Sequence, residues 1–75
     1  MGRKEGTTVT QRGRGYTVTI HENRGDTVIL VDANGSLMDK SGAEIIQSDV
    51  SIVCMALGND ATIVAAIRSW WRNNN

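Results

Sequence analysis

Side chains that could do chemistry are few in this sequence. The single histidine, His21, falls on the predicted outward face of a strand, and the single cysteine, Cys54, falls in the most apolar segment. General-base catalysis needs an oriented partner for the histidine, and a cysteine nucleophile needs an exposed, electropositive setting. A zinc site needs about four cysteine or histidine ligands. We therefore expect no catalytic residue, no metal site and no cofactor, and a protein that is not an enzyme.

Three short motifs match binding signatures only in part. The segment that begins at Asp32 is similar to the start of a calcium loop, but Gly35 comes too early and Ala43 stands where a glutamate is required. Gly13-Arg14-Gly15 is a fragment of a dinucleotide fingerprint without a βαβ pattern around it. Arg24-Gly25-Asp26 spells an integrin-binding tripeptide at a predicted hairpin tip, where glycine beside charged residues is ordinary. Each motif is interpreted as a turn.

Charge is segregated along the chain. Residues 1–25 carry a balance of +3, residues 26–60 carry −5, and two arginines near the C-terminus restore neutrality. Such asymmetry indicates a basic surface for nucleic acid or an acidic partner, formed by Arg3, Lys4, Arg12, Arg14 and Arg24. In a meander, Arg12 and Arg14 fall at the same end of the sheet as Asp32 and Asp49. Neutralisation of these carboxylates is an alternative of equal weight, although exposed ion pairs add little stability.

Two of the three aromatic residues, Trp70 and Trp71, stand together near the C-terminus and are flanked by Arg68 and Arg72. Both indoles lie on the apolar side of a predicted helix, so burial in the core is the simplest interpretation. A short helix end seldom buries two indoles completely in so small a domain, and a partly exposed tryptophan beside arginine is typical of a binding anchor. These four residues are the predicted partner-binding site.

Alternation of apolar and polar residues predicts a series of antiparallel strands. In the clearest one, Tyr16–His21, we expect Tyr16, Val18 and Ile20 to face inward. The unbroken apolar run Thr27–Val31 is typical of a strand that is covered on both faces. Turns are predicted at Arg12–Gly15, Glu22–Asp26, Asn34-Gly35 and Asp39–Gly42.

The stretch Ala43–Leu57 allows two interpretations. A single helix over it would place Asp49 in the middle of an apolar arc, and burial of an unpaired carboxylate costs several kcal/mol. We therefore predict a short strand at Ala43–Gln47, a turn, and a second strand at Val50–Leu57.

The last element is predicted to be an amphipathic helix. At 100° per residue one arc is apolar and the opposite arc is mostly polar, with the apolar positions at Ile63, Val64, Ala66, Ile67, Trp70 and Trp71. Asp60 is a suitable N-cap. The expected fold is α+β, an antiparallel meander of five to six short strands closed by this one C-terminal helix.

Length and composition restrict the class of protein. The chain of 75 residues predicts one small domain, 1–75, with a flexible basic arm at 1–6 and a frayed tail at 73–75. An apolar fraction of 40% with no net charge excludes a disordered chain and weighs against tight, sequence-independent binding of polyanions. A lone cysteine excludes a disulfide scaffold. The polar N-terminus and the lack of a long apolar span predict a cytoplasmic, intracellular location without membrane contact.

These observations predict a non-catalytic small binding protein that acts through protein–protein contact. A regulator or inhibitor of the kind that phages or other mobile elements encode, assembled as a homodimer or small oligomer, fits the short chain and segregated charge. The alternative is a small oligomeric protein that binds single-stranded DNA or RNA through the basic N-terminal segment. A minor enzyme domain is the third possibility.

Overall fold

A computed structural model of the chain describes residues 6–22 and 25–74. Four strands form one antiparallel sheet in the order β1-β2-β3-β4, and their bounds are β1 (Gly6–Arg12), β2 (Gly15–Glu22), β3 (Gly25–Val31) and β4 (Leu37–Asp39). Two helices follow, α1 (Gln47–Ala56) and α2 (Ala61–Asn73). The predicted α+β antiparallel meander is confirmed, whereas the count of five to six strands and one helix is wrong.

The alternation predicted for β2 decides which face of the sheet is covered. Val18 lies opposite Val9 of β1 and Ile29 of β3, and all three point to the face on which the helices pack. Val18 and Ile20 are buried, and Tyr16 packs against the same core. Both helices lie on this inner face, so the fold has two layers.

The outer face of β3 differs from expectation. Ile29 and Val31 are buried on the inner face, but Val28 and Leu30 on the other face are only half-buried. An unbroken apolar run is typical of a strand covered on both sides. Here no described helix covers the outer face, so the prediction of two covered faces is wrong.

Helix α1 replaces the two strands that were predicted over Ala43–Leu57. The helix begins at Gln47, so Asp49 lies in its first turn, and its carboxylate accepts a hydrogen bond of 3.1 Å from the Ile46 N–H. At a helix N-terminus the free N–H groups and the dipole stabilise a carboxylate. The free-energy cost that we expected for burying the Asp49 carboxylate in a helix therefore does not apply. The buried positions have helical spacing, at Val50, Val53, Cys54 and Leu57.

Helix α2 agrees with the sequence pattern. Ile63 and Ile67 are buried, whereas Arg68 and Ser69 on the opposite arc are exposed. The carboxylate of Asp60 accepts a hydrogen bond of 3.1 Å from the Ile63 N–H, which confirms the predicted N-cap. The helix continues to Asn73, and the Asn74 side chain donates to the Trp70 carbonyl.

The turn between β3 and β4 depends on Gly35. Its φ of +85° lies in the left-handed region, where a Cβ is disfavoured. A Cβ at this position would also overlap the backbone of Ala66 in α2. Glycine therefore allows the turn to pass directly beneath the helix, and this contact brings the C-terminal half of α2 to the end of the sheet.

Candidate functional site

The main candidate site is a groove at the end of the sheet. It encloses about 560 Å³ between the β1–β2 turn, the β3–β4 turn and the last turns of α2. We call it the Arg–Trp groove, and its polar and aromatic lining consists of Arg12, Arg14, Tyr16, Asp32, Ser36 and Trp70. The groove unites two sets of residues that sequence analysis assigned to separate surfaces.

Arg12 and Arg14 bring two positive charges to this groove. Both residues are exposed, and neither forms an ion pair within residues 6–22 and 25–74. Asp32 lines the same groove, but its Oδ1 atom accepts hydrogen bonds from the Asn34 and Ser36 N–H groups at 2.8 and 3.1 Å. The groove therefore holds two guanidinium groups and one carboxylate, and neither guanidinium group is held in an ion pair with a described residue. The predicted pairing with Asp32 and Asp49 is not formed.

Tyr16 forms the floor of the groove and connects it to the start of α2. Its hydroxyl donates a hydrogen bond of 2.8 Å to Asp60 Oδ2, and Asp60 Oδ1 caps the helix at Ile63. The bond to Asp60 is the main cause that raises the pKa of Tyr16, and the same bond, followed by the Ile63 N–H, lowers the pKa of Asp60. The ring is therefore held in a fixed position.

The two tryptophans serve different surfaces. Trp70 lines the Arg–Trp groove, whereas Trp71 lines a second groove of about 430 Å³ between α1 and α2 together with Arg68 and Arg72. The indole centroids lie 6.2 Å apart with their planes tilted by 44°. Both rings are half-buried and pack against the core. The four residues predicted as one partner-binding site are thus divided between two grooves.

Sequence analysis missed a chain of three polar side chains across the sheet. Thr8 Oγ1 lies 2.8 Å from His21 Nε2, and His21 Nδ1 lies 3.1 Å from Asp26 Oδ1. This is the order of contacts in a hydroxyl–histidine–carboxylate triad. The predicted hairpin at Glu22–Asp26 was a usable signal for part of this chain of contacts. A hairpin there brings Asp26 opposite His21 on the neighbouring strand, and the observed register pairs these two residues.

This chain of contacts lies on the outer face of the sheet, away from both grooves. Thr8 and His21 line neither groove, and Asp26 is exposed and borders a separate shallow depression of about 270 Å³. An acyl-transfer site also needs a pocket and donors for the oxyanion. The three side chains instead connect β1, β2 and β3 at one end of the sheet.

The remaining candidates from the sequence are Cys54, a metal site and the other basic residues. Cys54 is buried, and burial raises the pKa of its thiol despite the opposing effect of Arg68. Among the described residues no group of histidine, cysteine, aspartate or glutamate side chains could hold a metal ion. Three of the predicted basic residues, Arg3, Lys4 and Arg24, lie outside the described residues.

Comparisons with protein-family models, with curated proteins and with solved structures find no match to this chain. Within the part of the chain that is described, neither helix has the length and apolar character needed to cross a membrane.

Proposed function

We propose that this chain is a non-catalytic binding protein that acts through protein–protein contact, and that the Arg–Trp groove is its partner site. The observation that carries the proposal is the presence of Arg12 and Arg14, without a described carboxylate partner, beside Trp70 in one groove. Tryptophan and arginine together are the residues most enriched where binding energy is concentrated. The proposed role is that of a regulator or inhibitor, which a binding site of this kind would support.

The chemistry of the groove specifies its partner. Leu30 and Trp70, both half-buried, supply apolar surface, and Tyr16 is already engaged through its hydroxyl. The guanidinium groups of Arg12 and Arg14 favour bidentate bonds to carboxylates. A segment that carries an acidic residue next to an aromatic or leucine side chain satisfies both parts of the groove.

A peptide array tests this specificity. Peptides with varied acidic, leucine and aromatic positions are presented to the protein, and binders are verified in solution by the change in tryptophan fluorescence. The double variant Arg12→Gln/Arg14→Gln should lose the acidic binders. The matched control, Arg68→Gln/Arg72→Gln in the second groove, should retain them. Equal loss in both variants, or selection of peptides without acidic residues, would reject the groove as the site.

The alternative is binding of single-stranded nucleic acid, which the same groove supports through a different use of its residues. Bases stack on tryptophan and tyrosine, and phosphates pair with arginine. The sequence pI of about 6.5 weighs against it. An oligothymidine titration across a salt series separates the two functions, because phosphate contacts give a log–log salt slope and Arg12→Gln/Arg14→Gln would reduce that slope by about one per lost contact.

A further inference from the structure

Strand β1 is an open edge of the sheet. Its seven residues pair with β2 on one side, and no described residue pairs with the other side. All seven residues are exposed. The opposite edge is β4, which has only three residues. Sheet edges are usually protected by charge, proline or a bulge, because unpaired N–H and C=O groups recruit another strand. Arg12 is the only charged residue in β1, and the strand has no proline.

Apolar surface lies directly beside this edge. Val9 on the inner face of β1 borders a shallow groove of about 290 Å³ that Ile52 and Met55 of α1 line from above. Met55 is 77% exposed and Val9 is 38% exposed. An additional strand at the edge would continue the inner face beneath α1 and cover both side chains. The unpaired backbone groups of β1 and the exposed apolar side chains of Val9 and Met55 therefore lie at the same edge of the sheet.

We infer that a second copy of this chain occupies the edge, with the two β1 strands antiparallel and Val9 on the two-fold axis. The assembly is a continuous eight-stranded sheet with all four helices on one face. In this register Val9 lies opposite Val9, Thr8 lies opposite Thr10, and Thr7 lies opposite Gln11, so the central pairs match in polarity, and Arg12 lies opposite Gly6 at each end. Cross-strand pairs of this kind are the stabilising units of antiparallel sheets, and a two-fold interface requires a self-complementary surface.

Charge selects the antiparallel orientation. With Val9 on the axis, the two Arg12 residues are six residues apart in register, which corresponds to about 20 Å at the strand rise of about 3.4 Å per residue. A parallel arrangement would place the guanidinium groups side by side, and opposed like charges are destabilising. The hydrogen bond between Thr8 and His21 adds a side-chain contact between β1 and β2 on the outer face.

Light scattering and sedimentation equilibrium over a concentration series test the dimer. The wild-type chain should behave as a dimer, and Met55→Glu or Val9→Lys should raise the dissociation constant at least tenfold while the circular dichroism spectrum is retained. The matched control is Met38→Glu, because Met38 is 58% exposed on β4 at the opposite edge. This variant should remain dimeric. A wild-type monomer at millimolar concentration, or a dimer that survives both edge variants, would overturn the proposal.

Cysteine cross-linking tests the orientation. Val9→Cys should form an intermolecular disulfide under mild oxidation, whereas Arg12→Cys should not, since only a parallel pair brings residue 12 next to its copy. The native Cys54 is buried and does not compete. A cross-link at position 12, or none at position 9, would contradict the Val9-centred register. The proposal does not depend on the Arg–Trp groove, and Met55→Glu should leave peptide binding at that groove unchanged.

Discussion

The hydroxyl of Tyr16 donates a hydrogen bond of 2.8 Å to the carboxylate of Asp60, a residue 44 positions later in the chain. Through this bond one side chain of the sheet holds the residue that caps α2. One titratable contact therefore links Tyr16, which lines the Arg–Trp groove, to the start of α2.

The first prediction concerns the pH dependence of stability. The pKa of Asp60 is lowered in the folded state, so its contribution to stability is present above the unfolded pKa of about 3.9 and is lost as the pH falls through the folded value. The pKa of Tyr16 is raised, so its contribution is present below about 10 and is lost as the pH rises through the folded value. Tyr16→Phe should flatten both limbs of the profile measured by urea unfolding.

Asp60→Asn is the control for this contact. Asparagine does not titrate, and it offers one amide oxygen in place of the two carboxylate oxygens of Asp60, so it keeps the cap on the Ile63 N–H only by turning its NH2 group toward the Tyr16 hydroxyl. This variant should lose the contribution of Asp60 to the acid limb and most of the alkaline limb as well, because the hydrogen bond to Asp60 is the main cause that raises the pKa of Tyr16. A Tyr16→Phe profile identical to that of the wild type would contradict the coupling between these two residues.

The second prediction tests the buried arc of α2. Ile67 is 0% exposed, so Ile67→Asp should unfold the protein, because an unpaired charge in the core costs several kcal/mol. Ser69→Asp, on the exposed face of the same helix, should change the free energy of unfolding by less than about 0.5 kcal/mol. Chemical denaturation of both variants gives the comparison, and equal damage would mean that the helix packs through a different face.

The third prediction uses two glycines with positive φ. Gly35→Ala should destabilise the fold strongly, because its Cβ would overlap Ala66 in addition to the backbone strain. Gly13→Ala, at a φ of +59° with no atom near its Cβ, should show only the backbone cost of about 1–2 kcal/mol. Thermal unfolding separates the two effects, since the excess for Gly35 measures the close approach of the turn to α2. Similar losses at both positions would exclude that contact.

The fourth prediction is a stabilising change at the start of α1. Ile46 occupies the N-cap position with extended backbone and is 53% exposed, but it has no side-chain acceptor. Ile46→Ser would complete the capping box with Asp49 and should add about 0.5–1 kcal/mol to the free energy of unfolding. Ile46→Ala removes the same apolar surface without a hydroxyl and is the matched control. No difference between serine and alanine would show that the cap contributes nothing.

Local patterns in the sequence were sufficient for much of this fold. The alternation of Tyr16, Val18 and Ile20 identified the inner face of β2, and the arc through Ile63 and Ile67 identified the buried face of α2. Asn34-Gly35 correctly indicated a turn, with Gly35 at positive φ. These features are recognisable because strand and helix periods are local geometry that repeats within a few residues.

Helix α1 and the site were decided by tertiary structure. Whether Asp49 is buried depends on where the helix begins, and α1 begins so that Val53 lies in the core while Asp49 lies in the first turn. The division of Trp70 and Trp71 between two grooves depends on where neighbouring elements lie around α2. Arg12 and Trp70 are 58 positions apart, and no local pattern relates them. They line one groove because the β3–β4 turn, through Gly35, lies directly against α2. The spacing of apolar residues within one strand or helix can be read directly from the sequence. Contacts between residues far apart in the chain depend on how whole helices and strands pack.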